Sequence, residues 1–255
     1  MKYLRHHLIA VVGLSLACAA HAQVGPLPGT SPLPFPATCT GLNTVTISAT
    51  GAGSFVSPTG CPITFKVFGG GGSGGSGNDG FSDASGAGGG GECNTTLSVP
   101  FGTTVFYTVG LGGAAVTGLS GHPGTNSWIN ISANAQPASG ANGCFAGGGG
   151  AGQVAGAGGA GGAGSLGSTN HTGGAGALAI GGGGGGGAGS GGNGAAGSGA
   201  AGGAGGTPDG GAGTNGSTTA NTNPGTQPSG GSGGTNDTSV KTSGAGGAGE
   251  IKYTY

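Results

Sequence analysis

The sequence predicts an all-β fold: a small antiparallel sandwich into which a bundle of polyglycine II helices is inserted. Three observations point there. Glycine accounts for 74 of the 255 residues, nearly all between Gly69 and Gly249, in runs joined by Ala, Ser, Thr and Asn. The apolar residues outside those runs alternate with polar ones in short packets, the period of a half-buried strand. The longer tracts repeat at three: 156–164 reads GAGGAGGAG, 201–206 reads AGGAGG and 245–249 reads AGGAG.

Residues 1–22 read as a secretory signal peptide. Lys2 and Arg5 give it a positive start, residues 8–20 an apolar segment, and Ala20-His21-Ala22 a cleavage site before Gln23. The apolar run falls short of the ~20 residues a membrane span needs. Ser15 stands where a lipobox before Cys18 would carry Leu, so neither a membrane anchor nor a lipoprotein is expected. Residues 23–38 are punctuated by proline and read as an extended leader. The folded domain is placed at 39–255. The chain is thus expected to be exported, to the periplasm, cell surface or extracellular space, with no membrane span after signal cleavage.

Signal cleavage leaves Cys39, Cys61, Cys93 and Cys144. An even number in an exported chain reads as two disulfides, but four cysteines allow several pairings. Cys39 with Cys61 and Cys93 with Cys144 is preferred, because each bond then closes one section of strand-like sequence. No CxxC pair and no neighbouring histidines suggest zinc, and no metal is expected.

The strand packets follow in order. Val45, Ile47 and Ala49 alternate with Thr and Ser; Ile63, Phe65 and Val67 flank Thr64 and Lys66; Leu97 and Val99 precede a turn at 100–103, from which Val105, Tyr107 and Val109 return. Trp128, Ile129 and Ile131 suggest a further strand, with Trp128 assigned to the core, and Ile251, Tyr253 and Tyr255 the last. Because the final packet completes the pattern begun near residue 45, the glycine tracts are insertions between strands of one sandwich. So few core residues call for disulfide support.

Collagen is excluded because proline is rare inside the tracts, and silk-like strands because their period would be two. Three residues per turn is the geometry of the extended left-handed helix, which has no internal hydrogen bonds and must find partners laterally. Ordering a residue costs about 1–2 kcal/mol and a backbone hydrogen bond returns about 0.5–1.5 net, so the tracts order as a group. The seven unbroken glycines of 181–187 can take neighbours on every edge, and the alanine-edged tracts belong on the perimeter. Residues 207–243, richer in Thr, Asn and Pro, are read as a candidate disordered loop.

Two stretches, 65–75 (FKVFGGGGSGG) and 88–113 (GGGGECNTTLSVPFGTTVFYTVGLGG), resemble the glycine-rich domain found in phage tail-fibre adhesins, in exported bacterial proteins and in the extracellular region of anaplastic lymphoma kinase-type receptors. Leu97, Val99, Pro100, Gly102, Tyr107, Val109, Gly110, Gly112 and Gly113 carry the resemblance. Asn126-Ser127-Trp128 resembles that family's later aromatic motif, and 247–255 its closing strand. The resemblance implies a jelly-roll-like sandwich bearing a polyglycine II bundle, with a structural or binding role.

Past residue 22, Lys66, Lys241 and Lys252 face Asp79, Asp83, Glu92, Asp209, Asp237 and Glu250. No basic patch is present to hold phosphates, so no nucleic-acid partner is expected. Low charge leaves self-association open. Residues 74–82 (GGSGNDGFS) match a single calcium nonapeptide, but such repeats bind by stacking and no second copy follows. The G-x-G-x-x-G matches lack the strand, helix and acidic residue of a nucleotide site. His122 and His171 lie among Gly, Pro, Ser and Thr, without a paired nucleophile, so neither catalysis nor a cofactor is expected. The expected role is an exported structural or surface-interaction protein. The alternative is an adhesin that contacts a cell-surface glycan or protein through loops bearing His122, Asn170 and His171 at the end of the bundle.

Overall fold

Alternating apolar packets become strands because successive side chains in extended chain point to opposite faces. The computed structural model describes residues 43–78 and 83–255. The residues read as signal peptide and leader, and Cys39, lie outside these. The strands are β1 (Thr44–Ile47), β2 (Gly51–Val56), β3 (Pro62–Phe68), β4 (Ser76–Gly77), β5 (Glu92–Ser98) and β6 (Thr104–Val109), then β7 (Ser127–Asn130), β8 (Gly143–Ala146), β9 (Gly164–Ser165), β10 (Thr169–His171), β11 (Thr235–Asn236) and β12 (Glu250–Thr254). No helix occurs among the described residues.

Two five-stranded antiparallel sheets result, ordered β1-β12-β3-β5-β10 and β2-β6-β7-β8-β9, with β4 and β11 forming a short parallel pair. The first and last strands lie side by side, Thr44 opposite Thr254 and Ile47 opposite Ile251. One core joins both sheets: Ile63, Phe65, Val67, Leu97, Ile251 and Tyr253 from the first meet Val105, Val109, Ile129 and Ala146 from the second. Phe55 of β2 stacks on Tyr253 of β12, ring centroids 4.3 Å apart. Cys93 of β5 is bonded to Cys144 of β8, so this disulfide staples one sheet to the other. Cys61 is buried and also disulfide-bonded.

The sequence reading misplaces Trp128. It lies in β7 as expected, but Ile129 fills the core and period two turns Trp128 to the opposite face, where it is half-buried. Strands β2 and β8 have no sequence counterpart above. β2 reads GAGSFV, and its Gly53 is needed because a Cβ there would strike the Tyr107 ring.

The glycine tracts leave the strand ends and run beside one another, each donating its backbone N–H groups sideways. From 69–76 two of the three sets of every-third donors each keep to one neighbouring segment. Gly69, Gly72 and Gly75 donate to Gly91, Gly88 and Ser85 at 2.9–3.1 Å, while Gly70, Ser73 and Ser76 donate to Thr125, His122 and Leu119 at 2.8–3.0 Å. The third set is completed by Gly71 to Gly247 and by Gly74 to the Ser232 Oγ.

Buried throughout are 69–77, 84–91 and 228–236, and with them 181–189. From the latter, Gly182, Gly185 and Ala188 donate to 84–90, Gly183 and Gly186 to Gly199 and Ala195, and Gly184 and Gly187 to Thr214 and Gly211. Its carbonyls accept from Gly174 and Ala177, from Gly203 and Gly206, and from Gly231 and Gly234. Segments on every side therefore satisfy it, including 211–214 and 231–234, which belong to the stretch read as a candidate disordered loop. Ala157, Ala160 and Ala163 are exposed while Gly159 and Gly162 between them are buried. Ala84, Ala87 and Ala188 depart from the perimeter rule, being fully buried in the interior tracts.

A Cβ on Gly184 would run into the Gly231 carbonyl, whereas Ala157 already points to water. Gly184→Val should lower stability by about 1–3 kcal/mol or more, and Ala157→Val by no more than about 0.5. Thermal melts of the two variants would show equal shifts if the interior placement of 181–189 were wrong. Cys93→Ser with Cys144→Ser should remove about 2–5 kcal/mol, read from denaturant midpoints.

Candidate functional site

Period two sends the charged residues of the first sheet to the face away from the core. Lys66 of β3, Glu92 of β5, and Glu250 and Lys252 of β12 alternate with the buried Val67, Cys93 and Ile251. Edge strand β10 adds His171, registered opposite Glu92. Two turns from the glycine bundle bring Ser190 and Asp209 onto Lys66. Among the described residues, five of the eight Lys, Asp and Glu side chains thus gather on one face.

Glu92 is fully buried, with Oε2 3.0 Å from His171 Nδ1 and Oε1 without a hydrogen-bond partner. Burial pushes its carboxyl up to about 6; the His171 hydrogen bond and charge pull against that rise, Asp209 adds to it, and Lys66 opposes it. Burial also works against the Asp209 carboxylate, but the Ser190 hydrogen bonds and Lys66 outweigh it and hold its pKa below the ordinary value. Lys252 lies 2.9 Å from Glu250 Oε1 and 5.5 Å from the centroid of the buried Phe68 ring.

The residues proposed from sequence for ligand contact are not brought together. His122 is exposed on a tract bonded to 69–76 and 147–153, its backbone exchanging hydrogen bonds with Ser73. Asn170 and His171 lie in β10 rather than in a loop. The unpatterned run Ser168-Thr169-Asn170-His171 gave no strand signal; pairing with β5 and the Glu92 contact make it one. The Asn170 side chain exchanges hydrogen bonds with the backbone of Gly167. Asp79 and Phe81 of the calcium-like nonapeptide lie outside the described residues. Among the described residues no group of three or more His, Cys, Asp or Glu side chains could hold a metal, and no helix is long and apolar enough to cross a membrane. Sequence reasoning missed the Lys66, Glu92 and Asp209 grouping, although strand alternation alone places Lys66 and Glu92 on the outer face.

A model of the glycine-rich domain matches residues 35–255. The chain belongs to the glycine-rich domain family. No match to a curated protein was found. In this glycine-rich domain the charged face is therefore built on the sandwich, at the root of the bundle, and owes nothing to the glycine repeats except the turns that carry Ser190 and Asp209.

The raised Glu92 pKa fixes a pH dependence. The folded state holds the proton more tightly than the unfolded chain between its ordinary value of 4.5 and about 6, so stability falls as pH rises through that window. The loss amounts to roughly 2 kcal/mol. Melting temperatures measured from pH 4.5 to 7 should decline, and Glu92→Gln should flatten the profile; a stability that climbs across this range would contradict the burial of an unsatisfied carboxylate.

Proposed function

We propose that this glycine-rich domain is an exported scaffold, without catalytic activity, whose working material is its main chain. The signal-peptide pattern of residues 1–22 supports export. In this reading the paired sheets are a jelly-roll-like sandwich and the tracts a polyglycine II bundle. The observation that carries it is the 181–189 tract, buried along its length and hydrogen-bonded to segments on every side. Partners recurring at every third residue are what a threefold extended helix would produce. The interior holds little except backbone, which suits rigidity and leaves few side chains for chemistry.

A rival reading, an adhesin for a surface glycan or protein, draws on one feature. Leu119 and Val240 are 64% and 69% exposed, and both lie on turns that meet at Ser76, where the 69–76 tract ends away from β3. Whole-cell attachment by Leu119→Ser and Val240→Ser variants separates the two: loss of binding with the fold intact favours the adhesin.

Amide hydrogen exchange tests the scaffold. The amides of 182–188 should exchange as slowly as those of β3 and β5. Exchange as fast as that of an unfolded peptide would remove the scaffold reading.

A further inference from the structure

Lys66 Nζ lies 3.5 Å from Asp209 Oδ2, with the two side chains 34% and 15% exposed. Ser190 holds the pair from two directions: its Oγ accepts from Lys66 Nζ at 3.0 Å, and its backbone N–H donates to Asp209 Oδ1 at 2.8 Å. Lys66 is registered with Asn94 and Phe68 with Glu92, so Lys66 and Glu92 are diagonal neighbours on one face. That spacing is about 7–8 Å, within reach of long side chains. Glu92 keeps one buried carboxylate oxygen with no hydrogen-bond partner. An amine, a carboxyl carbon and a buried carboxyl group with an open oxygen are the components of an amide condensation.

We propose that Lys66 and Asp209 join in an intramolecular isopeptide bond, with Glu92 as proton carrier and Ser190 as the positioning residue. The bond forms between Lys66 Nζ and Asp209 Cγ, and the Cγ–Oδ2 bond breaks. The ammonium and carboxylate supply all the atoms: one of the amine's hydrogens stays on the amide nitrogen, and two protons leave with Oδ2 as water. No oxidant, reductant or activating group enters. Glu92 accepts a proton from the ammonium, freeing the lone pair that attacks Cγ, and returns it to the departing oxygen; the second proton, shed by the nitrogen after attack, reaches that oxygen through the same carboxyl group. Charge develops on Oδ1 in the tetrahedral intermediate, where the Ser190 N–H already donates.

Condensation between separate molecules in water is unfavourable. A pair held at reacting distance gains an effective molarity of about 10⁵–10⁸ M, far above the concentration of water that opposes it. Burial of Glu92 keeps its proton exchange near neutral pH, where a carrier works best. Asp209 sits on a turn returning from the bundle and Lys66 on the first sheet, so the bond would tie one to the other covalently. This holds whether the domain serves as scaffold or adhesin.

Mass spectrometry of the full chain, purified after export and reduced, tests the bond. The folded protein should be lighter than its sequence by one water. With cleavage after Lys66 lost, its tryptic digest should contain a single peptide that ends at Lys241 and is closed into a loop by the Lys66–Asp209 link. Lys66→Arg and Asp209→Ala should each restore the full mass. Asp209→Asn should keep the Lys66 link, read from the lost cleavage after Lys66, while losing ammonia instead of water. Glu92→Gln, checked for folding by its intact Cys93–Cys144 bond and a cooperative melt, should leave the bond unformed; linkage at the wild-type rate in that variant overturns the role given to Glu92. Full mass in the folded wild type overturns the proposal. So does a water loss that survives Lys66→Arg, since cyclisation of Asp209 onto the Gly210 nitrogen would account for it.

Discussion

Lateral hydrogen bonding between glycine backbones is the constraint on which the rest of this structure depends. An extended tract has no partners of its own, so each N–H that leaves water must meet a carbonyl on a neighbour. The 84–91 and 181–189 tracts meet this condition on every side and are buried for it. Side chains would block it: at most glycines in the tracts an added Cβ would collide with a neighbouring backbone carbonyl. Glycine loses more conformational freedom on folding than any other residue, which explains why the bundle is rooted in a sandwich that fixes where its tracts begin and end. The sandwich in turn has a small core, and the Cys93–Cys144 bond joins its two sheets where hydrophobic burial alone is thin.

The distribution of charge follows from the same constraint. Tracts packed backbone to backbone have no room for ionised side chains, so the outer face of the first sheet is where Lys66, Glu92, Glu250 and Lys252 are accommodated. Asp209 and Ser190 reach it from turns, which are free of the lateral packing rule. Glu92 pays most heavily for its place, being buried with one oxygen unsatisfied. A group held at that disadvantage is where chemistry or regulation is most usefully sought.

Much of the fold is legible in the residues, and what is not has a physical cause. Alternation in Ile63-Thr64-Phe65-Lys66-Val67 specifies β3, and the same rhythm in the last residues specifies β12 and its place beside β1. The triplet rhythm of Ala157, Ala160 and Ala163 marks an exposed edge. By contrast β10 has no internal pattern and exists through its partner, and β2 carries glycines because of Tyr107, a residue more than fifty positions away. Trp128 is assigned to the core from the strand rhythm of Ile129 and Ile131, yet that same period of two gives the inward position to Ile129 and turns Trp128 outward. The meeting of Lys66 with Asp209 is the least legible feature, since nothing local relates residues so far apart.

The recurrence of one neighbour at every third donor has an implication for how such a domain can change length. Inserting a single residue into a tract such as 84–91 would rotate everything beyond it by one edge, handing each N–H to the wrong neighbour and undoing contacts with several segments at once. Three inserted residues would restore the phase and merely extend the rod. Interior segments should therefore grow and shrink in triplets, as a reading frame does, while the turns between them remain at liberty to vary one residue at a time.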